Sequence, residues 1–583
     1  MQKMRDEYSR KIGSTRKECH ILIIGAGGAG IEAALAVAST REDLQVVLVD
    51  KGVLGKSGCT ILGGFSCNAV LETNPDDSPS CHFEDTVREG RFINDQPLVD
   101  TYTEKAPVRV KELHAMGGVF EVGEDGALKQ EMVPGHSHPR ALFDNLHTGK
   151  SMALALRRIV LKSNVEIYDE CIILRILCHD SAVWGAVGFD MVQGTFILFE
   201  CPAIIITTGG CGQLYRHSTT AIGSTGDGLA LAYEAGAELQ DMEFIQFFPT
   251  AQCYPRLLHL NPTFPSMLRY TAGCRLYNSE GNEFMREVNP DWTYTVTRDE
   301  LSQAIYKEIQ EGRGSPHGGV YMDVLHLSAG EITDKFSFSR IYPRLLSMGI
   351  DLTKDVIETT VSAHFSMGGI RVDTTLQTCI GGLFAAGEAI AGVHGANRLP
   401  GNALSEILVT GYEAAVHAIQ YVDGTSPAGD HDTMYDQSEC EALSALLDRE
   451  SGISPIALKK SIQDIMWDHV GVIRDKKGLE DGLCKLETLT STLNQMSLSS
   501  KTCIWNKELM DAFEVTFMLT VALLTTQGAL FREESRGSHY RKDFPESNHR
   551  TWLVNIIHKK GHPMTISRPR VSKMPLEGLY GYQ

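Results

Sequence analysis

The chain has 583 residues, of which 43% are apolar and 55 are glycine, so it is large enough for two or three domains and too apolar for a disordered protein. Its formal net charge of -19 disfavours nucleic acid or an anionic membrane surface as a partner. The fourteen cysteines include no Cys-x-x-Cys pair, which argues against a disulfide framework, a metal site or an iron–sulfur cluster on this chain.

The N-terminal segment is charged and lacks the apolar run of a signal peptide. No later stretch approaches the roughly 18 uninterrupted apolar residues of a membrane span. We therefore expect a cytoplasmic protein that meets a membrane, if at all, only through its partners.

A β–α–β unit is predicted near the start of the chain. Residues 19–24 are an apolar run of strand type, and they lead through a glycine turn into an apolar helix and a second strand over residues 46–50. Asp50, twenty residues after the last glycine of the turn, stands where a carboxylate accepts a ribose hydroxyl. The glycines allow backbone N–H groups to approach a pyrophosphate, and they are Gly25, Gly27, Gly28 and Gly30.

Two more strand-to-glycine turns follow. Residues 203–210 form one and include Thr208 and Gly209, and residues 382–388 form the other, which ends at Glu388. Three distant turns that converge on one ligand indicate a long dinucleotide, and this favours FAD over NAD.

The remaining pattern divides the chain into domains. Residues 251–350 interrupt the α/β pattern with prolines, aromatic residues and polar stretches, and Arg298 opens a helix there. After residue 428 the apolar periodicity becomes helical, over residues 440–447, 459–469 and 511–524. We predict an α/β fold with a Rossmann-like FAD-binding domain, an inserted capping domain, a helical C-terminal domain and a tail, over residues 18–250 with 351–428, 251–350, 429–545 and 546–583, respectively.

Three segments carry a resemblance to a known family. They are His364-Phe-Ser-Met-Gly-Gly369, His394-Gly-Ala-Asn-Arg-Leu-Pro-Gly-Asn-Ala-Leu-Ser-Glu406 and Glu534-Ser-Arg-Gly-Ser-His-Tyr-Arg-Lys-Asp-Phe-Pro545. With them the chain, from about residue 18 to about residue 560, resembles the flavoprotein subunit of succinate dehydrogenase and fumarate reductase, a family that also holds L-aspartate oxidase and the adenylylsulfate reductase alpha subunit.

The resemblance implies an FAD-dependent oxidoreductase. Hydride would pass between flavin N5 and a carbon of a small carboxylic acid of the fumarate or succinate type, and a separate iron–sulfur subunit would exchange the electrons. The resemblance assigns the flavin ribityl chain to Glu388 and adds flavin contacts at Ser57, Gly63, Gly64, Asp227, Asn402 and Ser405.

Arg398 and His364 match substrate-binding positions of the family. A guanidinium group stays charged and grips a carboxylate through two parallel hydrogen bonds, so Arg398 suits the role of an anion clamp. His364 would add a further hydrogen-bond donor.

The rest of the substrate site departs from the family pattern. Phe248 replaces a histidine, Met267 replaces a glutamate, and Tyr270 stands where the family has a proton-delivering arginine. Arg269 lies one residue out of that register, so the proton donor remains open between Arg269, Tyr270 and neither.

A further departure concerns the attachment of the cofactor. Family members that hold FAD covalently carry a histidine where this chain has Gly58, and no histidine lies nearby. We therefore expect noncovalent FAD, as in L-aspartate oxidase.

Two alternatives to fumarate and succinate chemistry stay open. One is a flavin reductase or oxidase for another unsaturated or amino acid, which the apolar side chains of Phe248 and Met267 favour. The other is a flavin-bearing electron-transfer subunit that has lost dicarboxylate chemistry. The sequence leaves the acid, the direction of electron flow, the electron partner and the oligomeric state open.

Overall fold

The computed structural model describes residues 13–64, 66–117, 119–144, 147–255, 257, 261–290, 296–334, 338–425, 435–576 and 578–579. Its helices are Gly28–Thr40, Pro79–Glu89, Gln96–Gly117, Thr148–Val160, Asp227–Ala235, Pro265–Ala272, Phe284–Val288, Arg298–Gln310, Ala329–Asp334, Phe338–Ser347, Asn402–Gly424, Tyr435–Asp448, Pro455–His469, Lys476–Thr492, Lys507–Phe531 and His549–Trp552. Short 3-10 turns are Thr60–Leu62, Gly212–Leu214, Gly387–Ala389 and Leu493–Gln495.

A five-stranded parallel sheet forms the centre of the nucleotide-binding region. Its strands lie in the order Leu383–Ala385, Ala203–Ile206, Ile21–Ile24, Val46–Val49 and Glu166–Tyr168. The three middle strands are fully buried, which explains why they read as continuous apolar runs and not as alternating patterns. The predicted β–α–β unit and the two later strand-to-glycine turns are therefore confirmed as neighbours in one sheet.

Two helices follow glycine-rich segments at one edge of this sheet. Helix Gly28–Thr40 begins within the first glycine turn, and helix Asn402–Gly424 packs against it. A Cβ added to Gly411 would lie 2.5 Å from the carbonyl oxygen of Ala29, so the two helices cross at a distance that only glycine allows. The middle of helix Asn402–Gly424, and not its start, therefore lies against the first glycine turn.

A four-stranded antiparallel sheet carries the segments that resemble the family's substrate site. Its strands lie in the order Ile245–Tyr254, Ile357–Ser366, Val320–Asp323 and Arg275–Tyr277. The first strand runs across residue 251, where the sequence predicts a domain boundary. The division into four segments therefore stays a prediction.

The remaining strands form four further sheets, each of two to four strands. One joins Ser14–Glu18, Thr195–Glu200, Ala182–Asp190 and Cys171–His179, and a second joins Gly369–Ile370, Leu239–Gln240, Asn555–His558 and Thr565–Ser567. The other two join Cys67–Asn68, Ala141–Leu142 and Gln130–Glu131, and Ile473–Arg474 and Tyr540–Arg541.

The C-terminal part is helical, as predicted, with Pro455–His469, Lys476–Thr492 and Lys507–Phe531 packed against one another. Helix Lys507–Phe531 is long and apolar enough to cross a membrane, but 78% of its apolar window is buried inside the protein. That burial is typical of a core helix.

Candidate functional site

A cavity of about 650 Å³ lies at the carboxyl ends of the parallel strands. All three predicted glycine turns line it, through Gly25, Gly27 and Gly28, through Thr208 and Gly209, and through Glu388. Ligands of open α/β sheets bind at this edge because the strand-to-helix turns converge there. The cavity is long and mixed in polarity, as an extended dinucleotide requires.

Glycine is required at two positions of the first turn. Gly25 has φ of 105°, and a Cβ there would lie 2.6 Å from the carbonyl oxygen of Thr207. A Cβ at Gly30 would lie 1.8 Å from the carbonyl oxygen of Gly25, so Gly30 lets the helix pack on the strand and is not in the cavity wall. The turn therefore presents backbone, not side chains, to the cavity.

Asp50 is held in place at one end of the cavity. One carboxylate oxygen accepts the N–H of Ala26 at 2.6 Å, and the other accepts the N–H of Gly52 at 2.7 Å and the hydroxyl of Ser57 at 2.8 Å. An ionised carboxylate has about four acceptor sites, so Asp50 keeps capacity for a ribose hydroxyl.

Glu388 and Thr208, from the two later turns, also line the cavity. One Glu388 oxygen accepts the backbone N–H of Ser366 at 3.0 Å. Burial raises the pKa of Glu388 to about 7, against the opposing effects of that hydrogen bond and of the Arg398 charge. The hydroxyl of Thr208 is buried and has no hydrogen-bond partner among the described residues. A Cβ added to Gly228 would collide with this hydroxyl oxygen, so the hydroxyl faces helix Asp227–Ala235 and not the open cavity.

Asp227 joins the cavity wall to the C-terminal helices. Lys51 contacts Asp227 at 2.6 Å and Glu514 of helix Lys507–Phe531 at 2.8 Å. Both acids line the cavity together with Lys51. These two ion pairs fix this part of the cavity wall.

Four predicted flavin contacts lie outside the lining of the cavity, namely Gly63, Gly64, Asn402 and Ser405. Asn402 accepts hydrogen bonds from Asn68 and His82, and Ser405 shares one with Tyr102. These contacts fix the start of helix Asn402–Gly424. A flavin contact of these four residues stays a prediction.

Gly58 and Cys59 are both in the cavity wall. The thiol of Cys59 lies 3.1 Å from the hydroxyl of Ser224. Burial and the nearby Glu388 raise the pKa of Cys59 to about 12, so it stays a protonated and weakly nucleophilic thiol.

Arg398 is buried beside this cavity and is 5% exposed. It donates to the Gln246 side-chain oxygen at 2.9 Å, and its guanidinium lies 4.6 Å from the centre of the Phe365 ring. Its Nε atom has no partner within the described part of the chain. Burial and the charge of Arg298 lower the pKa of Arg398 to about 9, so the guanidinium is charged at neutral pH and retains unused donors for an anion.

His364 lies close to Arg398, on strand Ile357–Ser366. Its Nδ1 is 2.7 Å from the hydroxyl of Thr219, and its ring centre is 4.9 Å from that of Phe248. Burial, Arg398 and Arg298 hold the pKa of His364 well below its usual range. His364 is therefore a neutral imidazole at this site.

Arg298 is a member of this cluster that the sequence did not reveal. Its guanidinium lies 5.3 Å from the centre of the Phe248 ring, and its buried Nη1 has no partner in the described residues. Its charge lowers the pKa of both His364 and Arg398, so it belongs to the same cluster of charged groups.

A signal for Arg298 exists in the sequence. Thr297 caps helix Arg298–Gln310 in a capping box with Glu300, which places Arg298 in the first turn. A positive charge at a helix N-terminus opposes the helix dipole. An arginine in that position is a candidate for function and not for helix stability.

Arg269, Met267 and Tyr270, which lie where the sequence departs from the family pattern, have different surroundings. Arg269 is 1% exposed and donates to the carbonyl of Val296, two residues before Arg298, and Met267 is in the apolar core. The side chain of Tyr270 lies outside the described residues. The role of Arg269 or Tyr270 as proton donor stays a prediction.

Phe248 occupies the centre of the candidate substrate site. It is 1% exposed and lies opposite Ser362 in the antiparallel sheet. Its ring contacts both His364 and Arg298. The site therefore combines two arginines and a neutral histidine with an aromatic wall.

A chain of side-chain hydrogen bonds leads away from Arg398. Its partner Gln246 donates to the Asn397 side-chain oxygen at 2.9 Å. The Asn397 amide nitrogen in turn donates to Glu89 at 2.6 Å and to Asp299 at 3.3 Å. Both acidic residues are only partly buried, so this series of hydrogen bonds links Arg398 to the protein surface.

Comparisons with known proteins agree with this geometry. The model of the FAD binding domain family matches residues 20–404, and that of the fumarate reductase flavoprotein C-terminal family matches residues 459–577. The chain is 37% identical over 552 residues to one of the subunits of the fumarate reductase (CoM/CoB) of Methanothermobacter marburgensis, covering 94% of this chain and 99% of the relative. It is 36% identical to an uncharacterized FAD-dependent oxidoreductase of Methanocaldococcus jannaschii, covering 92% and 96%.

Solved structures show the same fold. A variant of E. coli quinol fumarate reductase superposes with a TM-score of 0.86 at 27% identity, covering 96% of this chain and 98% of that one. The Mycobacterium smegmatis Sdh1 complex in its apo form gives 0.85 at 30% identity, covering 97% of each chain.

Proposed function

This chain belongs to the flavoprotein family of fumarate reductase and succinate dehydrogenase, whose members are FAD-dependent oxidoreductases, and we propose that it transfers a hydride between FAD and a carboxylic acid of the fumarate or succinate type. The observation that carries the proposal is the cluster of Arg398, Arg298 and His364, whose side chains contact the rings of Phe248 and Phe365. Arg398 lies next to Glu388, which lines the cavity, whereas the three residues of the cluster are outside its lining. Two neighbouring cations that each keep a buried nitrogen without a partner in the described structure are a site for an anion.

The residues of the chain have separate tasks in this proposal. FAD, when bound, supplies the hydride acceptor or donor at flavin N5. Arg398, oriented by Gln246, binds one carboxylate of the substrate in a fork of parallel hydrogen bonds. His364, neutral and packed on Phe248, contacts a polar group of the acid.

We assign the proton transfer to Arg298. A reduction of a carbon–carbon double bond needs a proton at the carbon next to the one that receives hydride. The buried Nη1 of Arg298 has no partner in the described residues, and its charge faces both Arg398 and His364, so its proton can lie close to a substrate held between them. Arg269, which donates one hydrogen bond to the Val296 carbonyl, and Tyr270 remain alternative donors.

We further propose that FAD is held noncovalently. Gly58 offers no side chain for attachment, and Cys59 stays a protonated thiol in the cavity wall. Retention then depends on the backbone of the glycine turn, Asp50 and Glu388. Noncovalent binding makes the FAD content a direct readout of these contacts.

Electrons would pass to or from a separate iron–sulfur subunit. The fourteen cysteines of the chain include no Cys-x-x-Cys pair, and those of the described structure are free thiols distributed over the fold. A cluster therefore has to come from another subunit. We place the protein in the cytoplasm, with contact to a membrane only through such partners.

A second substrate class is favoured by Phe248 and Phe365. Their rings line the positions next to His364 and Arg398, where a second carboxylate would need polar partners. An unsaturated acid with one carboxylate and an apolar end satisfies Arg398 on one side and the rings on the other. Such an acid would use the same hydride and proton transfers.

The experiment is a reoxidation screen of the purified, FAD-loaded protein. The flavin is reduced by dithionite without oxygen, and fumarate, crotonate, cinnamate or an imino acid is added while the absorbance of oxidised flavin is followed. Fast return of absorbance with fumarate supports the dicarboxylate reaction, and faster return with crotonate or cinnamate supports the second class. No return with any acid contradicts both and favours a subunit that only relays electrons.

A further inference from the structure

As a proton donor, Arg298 needs a group that replaces its proton after each turnover. A guanidinium that gives a proton to carbon becomes a neutral guanidine, and it has to recover that proton from another group before the next turnover. Burial of its Nη1 restricts direct access of water to that atom. The groups around Arg298 therefore decide how fast the enzyme can turn over.

Two partly buried carboxyl groups lie close enough to Arg298 for its charge to oppose the rise of their pKa values. Asp299 follows Arg298 in the first turn of its helix, and Glu89 is the last residue of helix Pro79–Glu89. The Asn397 amide nitrogen donates to both, at 3.3 Å to Asp299 and 2.6 Å to Glu89. Three separate chain segments thus bring two acids to one amide.

The charges around the pair favour one shared proton. Burial, and after it the charge of Glu89, raise the pKa of Asp299 to about 6, while Arg91 and Arg298 oppose that rise. Glu300 faces the same group and raises the pKa slightly further. Burial also raises the pKa of Glu89, against Arg91 and Arg298. A negative charge on Glu89 therefore favours the protonated form of Asp299.

We propose that Glu89 and Asp299, joined through Asn397, form the proton relay that returns protons from solvent to Arg298. This inference rests on the proposed function, and it follows from the contacts of Asn397 with both acids.

The relay accounts for each proton of one reduction. FAD, when bound, would supply the hydride for one alkene carbon. Arg298 gives a proton to the neighbouring carbon, which completes a saturated acid and leaves the side chain as a neutral guanidine. The carboxylic acid of Asp299 or Glu89 then protonates the guanidine, and the resulting carboxylate takes a proton from water. In the oxidation direction every transfer runs in reverse.

A purely structural role for the pair makes a different prediction. Through Asn397 and Gln246 the two acids also support Arg398. If that were their only task, their loss would weaken the binding of a carboxylate and leave the proton step unchanged. The relay instead predicts a loss in turnover with little change in the affinity for an inhibitor.

The test compares Glu89→Gln and Asp299→Asn with Glu84→Gln, a control that removes an exposed acid from the same helix as Glu89. Each substitution keeps the side-chain size, and FAD content and thermal midpoint report folding. The measured quantities are the rate of flavin reoxidation by the best acid of the screen over a range of pH, the same rate in D2O, and the dissociation constant of malonate.

We expect Asp299→Asn to lower the reoxidation rate by roughly 100-fold and to increase the solvent isotope effect, because the proton step becomes rate-limiting. In the parent protein the rate falls as the pH rises through the pKa of the pair, since the relay works only while it holds a proton. Glu89→Gln removes a like charge and so lowers the pKa of Asp299, which moves that fall to lower pH. Malonate affinity should change by less than roughly threefold, and Glu84→Gln should match the parent.

An unchanged rate and pH profile in both variants would overturn the relay. It would leave the proposed function intact if fumarate reoxidises the flavin of the parent protein. A loss confined to malonate affinity would also overturn it and would assign the pair to the support of Arg398. If the Asp299→Asn variant loses FAD, the shift in the pH dependence of the rate in the Glu89→Gln variant alone tests the relay. A parent protein that no acid reoxidises would remove the proposed function and the relay with it.

Discussion

Replacement of Arg398 by lysine tests the anion clamp. Arg398→Lys keeps the positive charge but loses the planar fork, so one of two parallel hydrogen bonds to the substrate carboxylate is lost. A hydrogen bond to a charged group contributes about 1.5–3 kcal/mol, and loss of about 2 kcal/mol weakens binding roughly 30-fold. We therefore expect the dissociation constant of malonate, which has no double bond to reduce, to rise by this factor.

Turnover should fall further than binding. The bond from Arg398 to Gln246 fixes the guanidinium at 2.9 Å, and a flexible ammonium cannot keep that position. A displaced substrate reacts about 100-fold more slowly, because hydride transfer depends strongly on alignment. In total we expect kcat/KM to fall on the order of 1000-fold, with unchanged FAD content.

The assay is flavin reoxidation by the acid selected in the screen, together with a malonate titration. Arg371→Lys is the matched control, since Arg371 is a partly exposed arginine that pairs with Glu238 on the surface. The control should retain the parent rate. If Arg398→Lys reacts at the parent rate and binds malonate normally, the clamp lies elsewhere and the assignment of Arg398 is wrong.

Three further predictions concern pH, the ribose contact and the cofactor linkage. Burial and Arg298 lower the pKa of Arg398 to about 9, so the cation is present below that pH and is lost above it. The affinity for malonate should therefore fall as the pH rises through about 9. A malonate affinity that stays constant well beyond this pH would show that another group binds the anion. Asp50→Ala removes the acceptor of the Ala26 and Gly52 N–H groups and should weaken FAD binding by about 1–3 kcal/mol, measured by flavin fluorescence on dilution. The control Glu124→Ala, which removes an exposed loop acid, should leave FAD binding unchanged. Equal FAD retention in both variants would refute the ribose contact. Acid precipitation should release all yellow colour into the supernatant, since Gly58 has no side chain to alkylate, and colour in the washed pellet would show a covalent link.

The nucleotide-binding region could be predicted from the sequence because its signals are local. The glycine turn, the apolar strands and Asp50 lie within one β–α–β unit, and parallel strands buried on both faces read as continuous apolar runs. The later turns that end at Thr208 and Glu388 repeat the same local pattern. The structure places all three turns in the wall of one cavity.

The substrate site was harder to predict because it depends on pairings between distant segments. Phe248 and His364 meet only through the register of two antiparallel strands that are far apart in the chain, and that register contains shifts no sequence pattern reveals. Arg298 enters the candidate site from a third segment, and the one local signal for it is a positive charge in the first turn of a helix, where it opposes the helix dipole. Arg269 attracted the proton-donor hypothesis by its closeness to a family motif, whereas the structure gives it a contact with the Val296 carbonyl.

The central claim is that this chain exchanges a hydride with a carboxylic acid bound by Arg398. The most direct measurement is single-turnover reoxidation of the dithionite-reduced, FAD-loaded protein by fumarate without oxygen, with the acid products identified. We predict that oxidised flavin returns at a rate that rises with fumarate concentration and saturates, that one succinate forms per flavin, and that malonate competes. Flavin that stays reduced with fumarate and with every other acid of the screen would contradict the claim.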